Sequence, residues 1–135
     1  MELKTPMEYA AEAYMAKSHG KEAARLYEMA VRGFEFDGDY VSAGNTAREA
    51  GLEEKAFEMF DKAIAEKQKE GNLFGAALIA DIAGIKRKAN DLYDTLMEDC
   101  VKKKDYQQAA IMAELAGLRG KANEYSEAYL NYWPI

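Results

Sequence analysis

Ser18 and His19 are adjacent and Lys21 follows two residues on, the one place where a hydroxyl and an imidazole are near enough in sequence to suggest a nucleophile and its base. Local spacing supplies no carboxylate to orient the ring, so His19 reads as a solvated turn residue. Cys100 is the single cysteine and His19 the single histidine; together they exclude an intramolecular disulfide, a Cys-based zinc site and multi-histidine catalysis. Cys100 reads as a small half-buried side chain near a helix end. Glu53-Glu54 and Glu98-Asp99 pair carboxylates in sequence, but neighbours on a helix point about 100° apart and form no joint acid–base site. Lys86-Arg87-Lys88 and Lys102-Lys103-Lys104 flank one helical stretch and lie about 24 Å apart, too far for one phosphate patch. The second triplet suits the negative end of a helix dipole. With 18 Lys+Arg against 24 Asp+Glu, a net charge of -6 has the wrong sign for a nucleic-acid partner. Residues 69 to 135 are nearly balanced (9 basic, 10 acidic), so an anionic partner would approach that half. No glycine-rich phosphate loop or metal-ligand spacing occurs, and the expectation is no catalytic residue, no metal and no cofactor.

The elements that position these residues read as helices throughout. Proline occurs only at Pro6 and Pro134, and apolar residues recur at three- and four-residue spacing without alternating β-branched runs. Asp39-Tyr40-Val41-Ser42-Ala43-Gly44, Asn72-Leu73-Phe74-Gly75-Ala76-Ala77 and Asp105-Tyr106-Gln107-Gln108-Ala109-Ala110 start at 39, 72 and 105, two steps of 33 residues. The match continues in Ala50-Gly51-Leu52, Ala83-Gly84-Ile85 and Ala116-Gly117-Leu118. A step back of 33 from Asp39 lands on Pro6, so four units are expected, the first with a degenerate turn at Ser18-His19-Gly20. The 135 residues are thus four times 33 with three left over. Gly51, Gly84 and Gly117 read as helix C-caps, which makes each unit a helical hairpin. The expected helices run 6–18 and 21–35, 38–50 and 53–69, 72–83 and 86–103, 105–116 and 119–132, in units of about 5–37, 38–70, 71–103 and 104–135 forming one repeat domain.

Small residues occupy fixed columns: Ala10, Ala43, Ala76 and Ala109; Ala11, Gly44, Ala77 and Ala110; Ala23, Ala56, Ala89 and Ala122. Bulky residues alternate with them at Tyr27, Phe60 and Tyr93, and at Leu26, Met59, Leu92 and Tyr125, so the periodic chemistry is packing chemistry. A hairpin of this size cannot bury its apolar face alone and should draw stability from its neighbours.

The small residues of the first helices, with Ala23, Tyr27 and Ala30 or Ala56, Phe60 and Ala63 in the second, resemble the tetratricopeptide repeat over nearly the whole chain. The family's unit has one residue more and closes on proline, where this chain has Glu35, Gln68 and Val101, so its second helices are expected to be longer. Ala43-Gly44-Asn45-Thr46-Ala47 through Glu70-Gly71-Asn72-Leu73-Phe74 also resembles the repeats of soluble NSF attachment proteins, whose function is not carried over. Thr5-Pro6-Met7-Glu8-Tyr9-Ala10 echoes the ankyrin opening, but the other units lack it. The tetratricopeptide resemblance implies a right-handed α-α superhelix of four hairpins and a non-catalytic scaffold that binds a peptide or an amphipathic helix in a concave groove.

Carried over, the groove columns are Glu8, Val41, Phe74 and Gln107; Glu12, Asn45, Leu78 and Ile111; Met15, Arg48, Asp81 and Glu114. Only Asn45 matches the pattern that clamps a C-terminal carboxylate, so an acidic tail is not the expected partner. Phe74, Leu78, Ile82, Ile111 and Leu115 form an apolar strip with Arg48 and Asp81 placed to orient a bound helix. The alternative is a strip buried by tight curvature inside the monomer. At the C-terminus, Tyr129, Tyr132 and Trp133 either fold back on the last hairpin or form a homodimer contact. Two rivals to the scaffold follow: a self-assembling structural protein, and an enzyme or small-molecule sensor with an enclosed pocket around Asp81, Asn45 and Arg48. The Met1–Pro6 start has no signal-like apolar run and no window is long enough to span a membrane, so a soluble, cytoplasmic chain is expected.

Overall fold

The computed structural model describes residues 4–16 and 20–131, with the side chain of Lys21 excepted. Among them lie eight helices and no strand: α1 (Pro6–Met15), α2 (Lys21–Phe36), α3 (Tyr40–Glu49), α4 (Glu53–Lys69), α5 (Leu73–Ile82), α6 (Lys86–Lys102), α7 (Tyr106–Leu115) and α8 (Arg119–Asn131). The all-α class and the pairing of short and long helices agree with the repeat. The first helix of each pair is shorter than its periodicity suggests, because capping residues occupy its ends. Asp39, Asn72 and Asp105 stand outside the helices and accept from the N–H groups of Ser42, Gly75 and Gln108 at 3.2, 2.8 and 3.2 Å. Thr5 caps α1 through a reciprocal pair with Glu8, and Pro6 takes the first turn, where its missing N–H is not needed.

The turns repeat as faithfully as the caps. Leu52, Ile85 and Leu118 each return an N–H to the carbonyl of Ala47, Ala80 and Ala113, at 2.8, 2.9 and 2.8 Å, around Gly51, Gly84 and Gly117 in the left-handed conformation. The turns after α2, α4 and α6 use Gly38, Gly71 and Lys104. Lys104 is the one described non-glycine residue with positive φ, at 58°.

The chain divides into two compact units, Met1–Glu66 and Lys67–Ile135. In the first, α2 packs against both α1 and α3. Gly33 allows the close approach of α1 and α2, since a Cβ there would lie 2.6 Å from Pro6 Cγ. Tyr27 is buried with Ala13 and Ala23, and its hydroxyl donates to Glu49 of α3 at 3.5 Å. Between α3 and α4, the Phe60 ring lies flat enough on Gly44 that a Cβ would meet it at 2.9 Å, and the Arg48 guanidinium stands 5.2 Å from the ring centroid. Glu35 of α2 accepts from Lys55 and Lys62 of α4 at 3.1 and 3.2 Å. These two ammonium groups, Lys55 first, hold the Glu35 carboxyl below its ordinary pKa.

In the second unit α6 packs against α5 and α7, and α7 against α8. Its core is Ala76, Ala77, Ile79 and Ala80 of α5, Ala89, Leu92, Tyr93 and Met97 of α6, and Ala109, Met112, Ala113 and Ala122 of α7 and α8. The Tyr93 hydroxyl is buried without a hydrogen-bond partner. Burial, and then the charge of Asp81, push its pKa up.

Candidate functional site

The groove residues fall into two sets. In the first unit Asn45 Oδ1 accepts from Arg48 at 3.0 Å, and Arg48 also covers Phe60, both contacts within one hairpin. Glu12 is half-buried and accepts from Lys4. Met15, at the Arg48 position of the first hairpin, is exposed and with Glu12, Ala11, Ala16, Glu22 and Leu26 lines a shallow cavity of about 440 Å³.

In the second unit the apolar strip is accessible. Phe74 is 39% exposed, Ile82 54%, and Ile111 and Leu115 each 43%, while Leu78 is half-buried. α5 is apolar nearly all round, yet Ala76, Ala77, Ile79 and Ala80 suffice to fill its buried faces. The remaining large side chains stay at the surface, with Asp81 and Glu114 exposed among the same columns.

Beside this strip an open cavity of about 420 Å³ lies between α7 and α8, lined by Gln107, Ala110, Ile111, Glu114, Ser126, Tyr129 and Leu130. Its size is that of a small-ligand or side-chain pocket. Ile111 and Glu114 were expected on the groove, and Tyr129 at a self-association surface; here the three share one pocket. Ser126 and Leu130 were not anticipated. The signal for Ser126 lay in the sequence, because it is the fourth member of the column Tyr27, Phe60, Tyr93.

The candidate chemical residues divide as follows. Ser18 and His19, and at the other end Tyr132 and Trp133, lie outside the described residues. Cys100 is half-buried, and burial, then Asp105 and Asp99, push its thiol pKa up, away from the reactive thiolate. Lys86 and Lys102 stand at the two ends of α6, and Lys103 Nζ pairs with Asp99 at 3.0 Å. Among the described residues no group of three or more His, Cys, Asp or Glu could hold a metal ion, and no helix is long and apolar enough to cross a membrane.

The chain matches no protein-family model, no curated protein and no solved structure.

Proposed function

We propose that this chain is a tetratricopeptide-like, non-catalytic scaffold that binds a protein or peptide along the first helices of its hairpins, in the right-handed superhelix the repeat resemblance implies. The observation that carries the reading is the exposure of Phe74, Ile82, Ile111 and Leu115 beside Asp81 and Glu114. Scattered exposed apolar side chains are ordinary on a surface; a run of them in repeat register, edged by carboxylates, is the pattern of a helix- or peptide-receiving face. Burial raises the thiol pKa of Cys100, which argues against this one side chain as a nucleophile, and the single cysteine suits a reducing, cytoplasmic setting.

Leu78→Glu tests the reading. It places a charge in the strip at a half-buried position, and the expected result is loss of partner association with helicity retained by circular dichroism. Undiminished association of a folded variant overturns the groove.

A second reading, a self-assembling protein, rests on the exposure of Leu130, at 71%, beside Tyr129 on α8. Light scattering separates the two: a mass that rises with concentration and falls back in Leu130→Glu favours self-assembly.

A further inference from the structure

Three hairpins carry a ring at the same position of their second helix, and the three rings of Tyr27, Phe60 and Tyr93 are all buried. In the fourth that position is Ser126, which is exposed. The Phe60 ring shows what the position holds: it rests on Gly44 of the preceding helix, under the Arg48 guanidinium. The residues of the fourth hairpin in register with Gly44 and Arg48 are Ala110 and Glu114, and both line the α7–α8 pocket together with Ser126. The pocket therefore stands where a ring would be. A cavity of about 150 Å³ is enough to take up benzene, and this one is about 420 Å³, so an indole or phenol side chain fits with room for its backbone.

Relative to hairpin two, the charge at the rim is reversed as well. Hairpin two supplies its own cation over the ring, through Arg48. Hairpin four offers the carboxylate of Glu114 in that register, with Gln107 and Ser126 as the neighbouring neutral polar groups. An incoming ring thus finds apolar walls in Ala110 and Ile111 and, at the edge, a carboxylate that forms no ion pair among the described residues. A cation beside the ring meets it, whereas a neighbouring carboxylate is repelled.

We propose that the α7–α8 pocket receives one aromatic side chain of a partner polypeptide, flanked in that partner by lysine or arginine. The inference rests on the protein-binding reading above and names the recognition element of its last hairpin.

The test uses a dye-labelled, end-blocked peptide Gly-Lys-Trp-Lys-Gly, read by fluorescence anisotropy against the full chain. Replacing Trp by Ala, or both Lys by Glu, should each weaken binding at least about tenfold, the scale of one well-placed contact. Ser126→Phe gives the fourth hairpin the ring its siblings have. It should keep or raise the melting temperature and weaken the wild-type peptide about tenfold or more. Glu114→Lys, at an exposed position, should reverse the preference toward the Glu-flanked peptide.

Equal binding by wild type and a folded Ser126→Phe overturns the proposal, as does indifference to the flanking charge. Binding that emerges only in Trp133→Ala assigns the pocket to the chain's own C-terminal residues. Loss of concentration-dependent self-association in Ser126→Phe, with no peptide binding by wild type, assigns it to a second copy. Either result also overturns the proposal. Leu78 does not line the pocket, so Leu78→Glu should leave the peptide bound. Failure of the groove reading and failure of the pocket are in this way told apart.

Discussion

Hairpins two and four are built on the same register and end in opposite states. In hairpin two, Phe60 fills the space against Gly44, Arg48 closes over the ring, and Glu35 ties α4 to the preceding hairpin through two lysines. In hairpin four the corresponding residues are Ser126, Ala110 and Glu114, while Val101 and Ala128 stand where Glu35 and Lys62 do. The first set satisfies itself. The second leaves an open pocket with a carboxylate on its rim. Helical repeats of this kind share one packing solution, and the hairpin that departs from it is the one to which the proposal assigns binding.

The largest expected effect comes from making hairpin two resemble hairpin four. Phe60→Ser removes a ring that is only 2% exposed and should cost about 3–5 kcal/mol, the range of large-to-small core truncations, read as a fall in the urea midpoint. A loss under about 1 kcal/mol would mean that the ring position is dispensable and that its vacancy at Ser126 signifies little. Next is Gly44→Ala. Its Cβ would lie 2.9 Å from the Phe60 ring, and the overpacking should cost about 1–3 kcal/mol in the same measurement. The other hairpins carry alanine in this register, at Ala11, Ala77 and Ala110, so the close approach of ring to backbone belongs to the Gly44–Phe60 pair.

A smaller effect distinguishes the turns that lead into the two hairpins. Gly38 precedes hairpin two, whereas Lys104 holds the left-handed conformation before hairpin four. Lys104→Gly should stabilise by up to about 1 kcal/mol, the relief of a side chain from that region less the added freedom of the unfolded glycine, seen as a higher melting temperature.

The smallest is electrostatic. Because the folded pKa of Glu35 lies below its ordinary value, the carboxylate stabilises the fold above the unfolded pKa. That contribution is lost as pH falls through the carboxylate range toward the folded value. The ion pairs are partly solvated, so Glu35→Gln should lose less than about 1 kcal/mol at neutral pH, and the difference from wild type should vanish in acid. Val101→Gln, the corresponding position on α6 before hairpin four, should show no such pH dependence.

Much of this fold is legible in residue columns. The steps from Asp39 to Asn72 to Asp105, and from Gly51 to Gly84 to Gly117, locate caps and turns because each needs a particular side chain or a positive φ. The ends of the first helices are less legible, since Asp39, Asn72 and Asp105 continue the periodic pattern while standing outside the helix as caps. The apolarity of α5 argued equally for burial and for exposure. Its alanines resolve the matter by packing closely enough that Phe74 and Ile82 are left outside. The pocket is legible only as a missing term, for Ser126 is an unremarkable residue until three rings are seen to precede it in register. That Gln107, Tyr129 and Leu130 complete its walls depends on how α7 meets α8, which no column specifies.

The most direct test of the ring vacancy is a map of amide and methyl chemical shifts, with the wild-type chain titrated with the Gly-Lys-Trp-Lys-Gly peptide. Shifts concentrated on Ala110, Ile111, Glu114, Ser126 and Leu130, and absent from the same residues in Ser126→Phe, are the predicted result. Shifts centred on hairpin two, or a pattern unchanged when the ring is installed at residue 126, would contradict it.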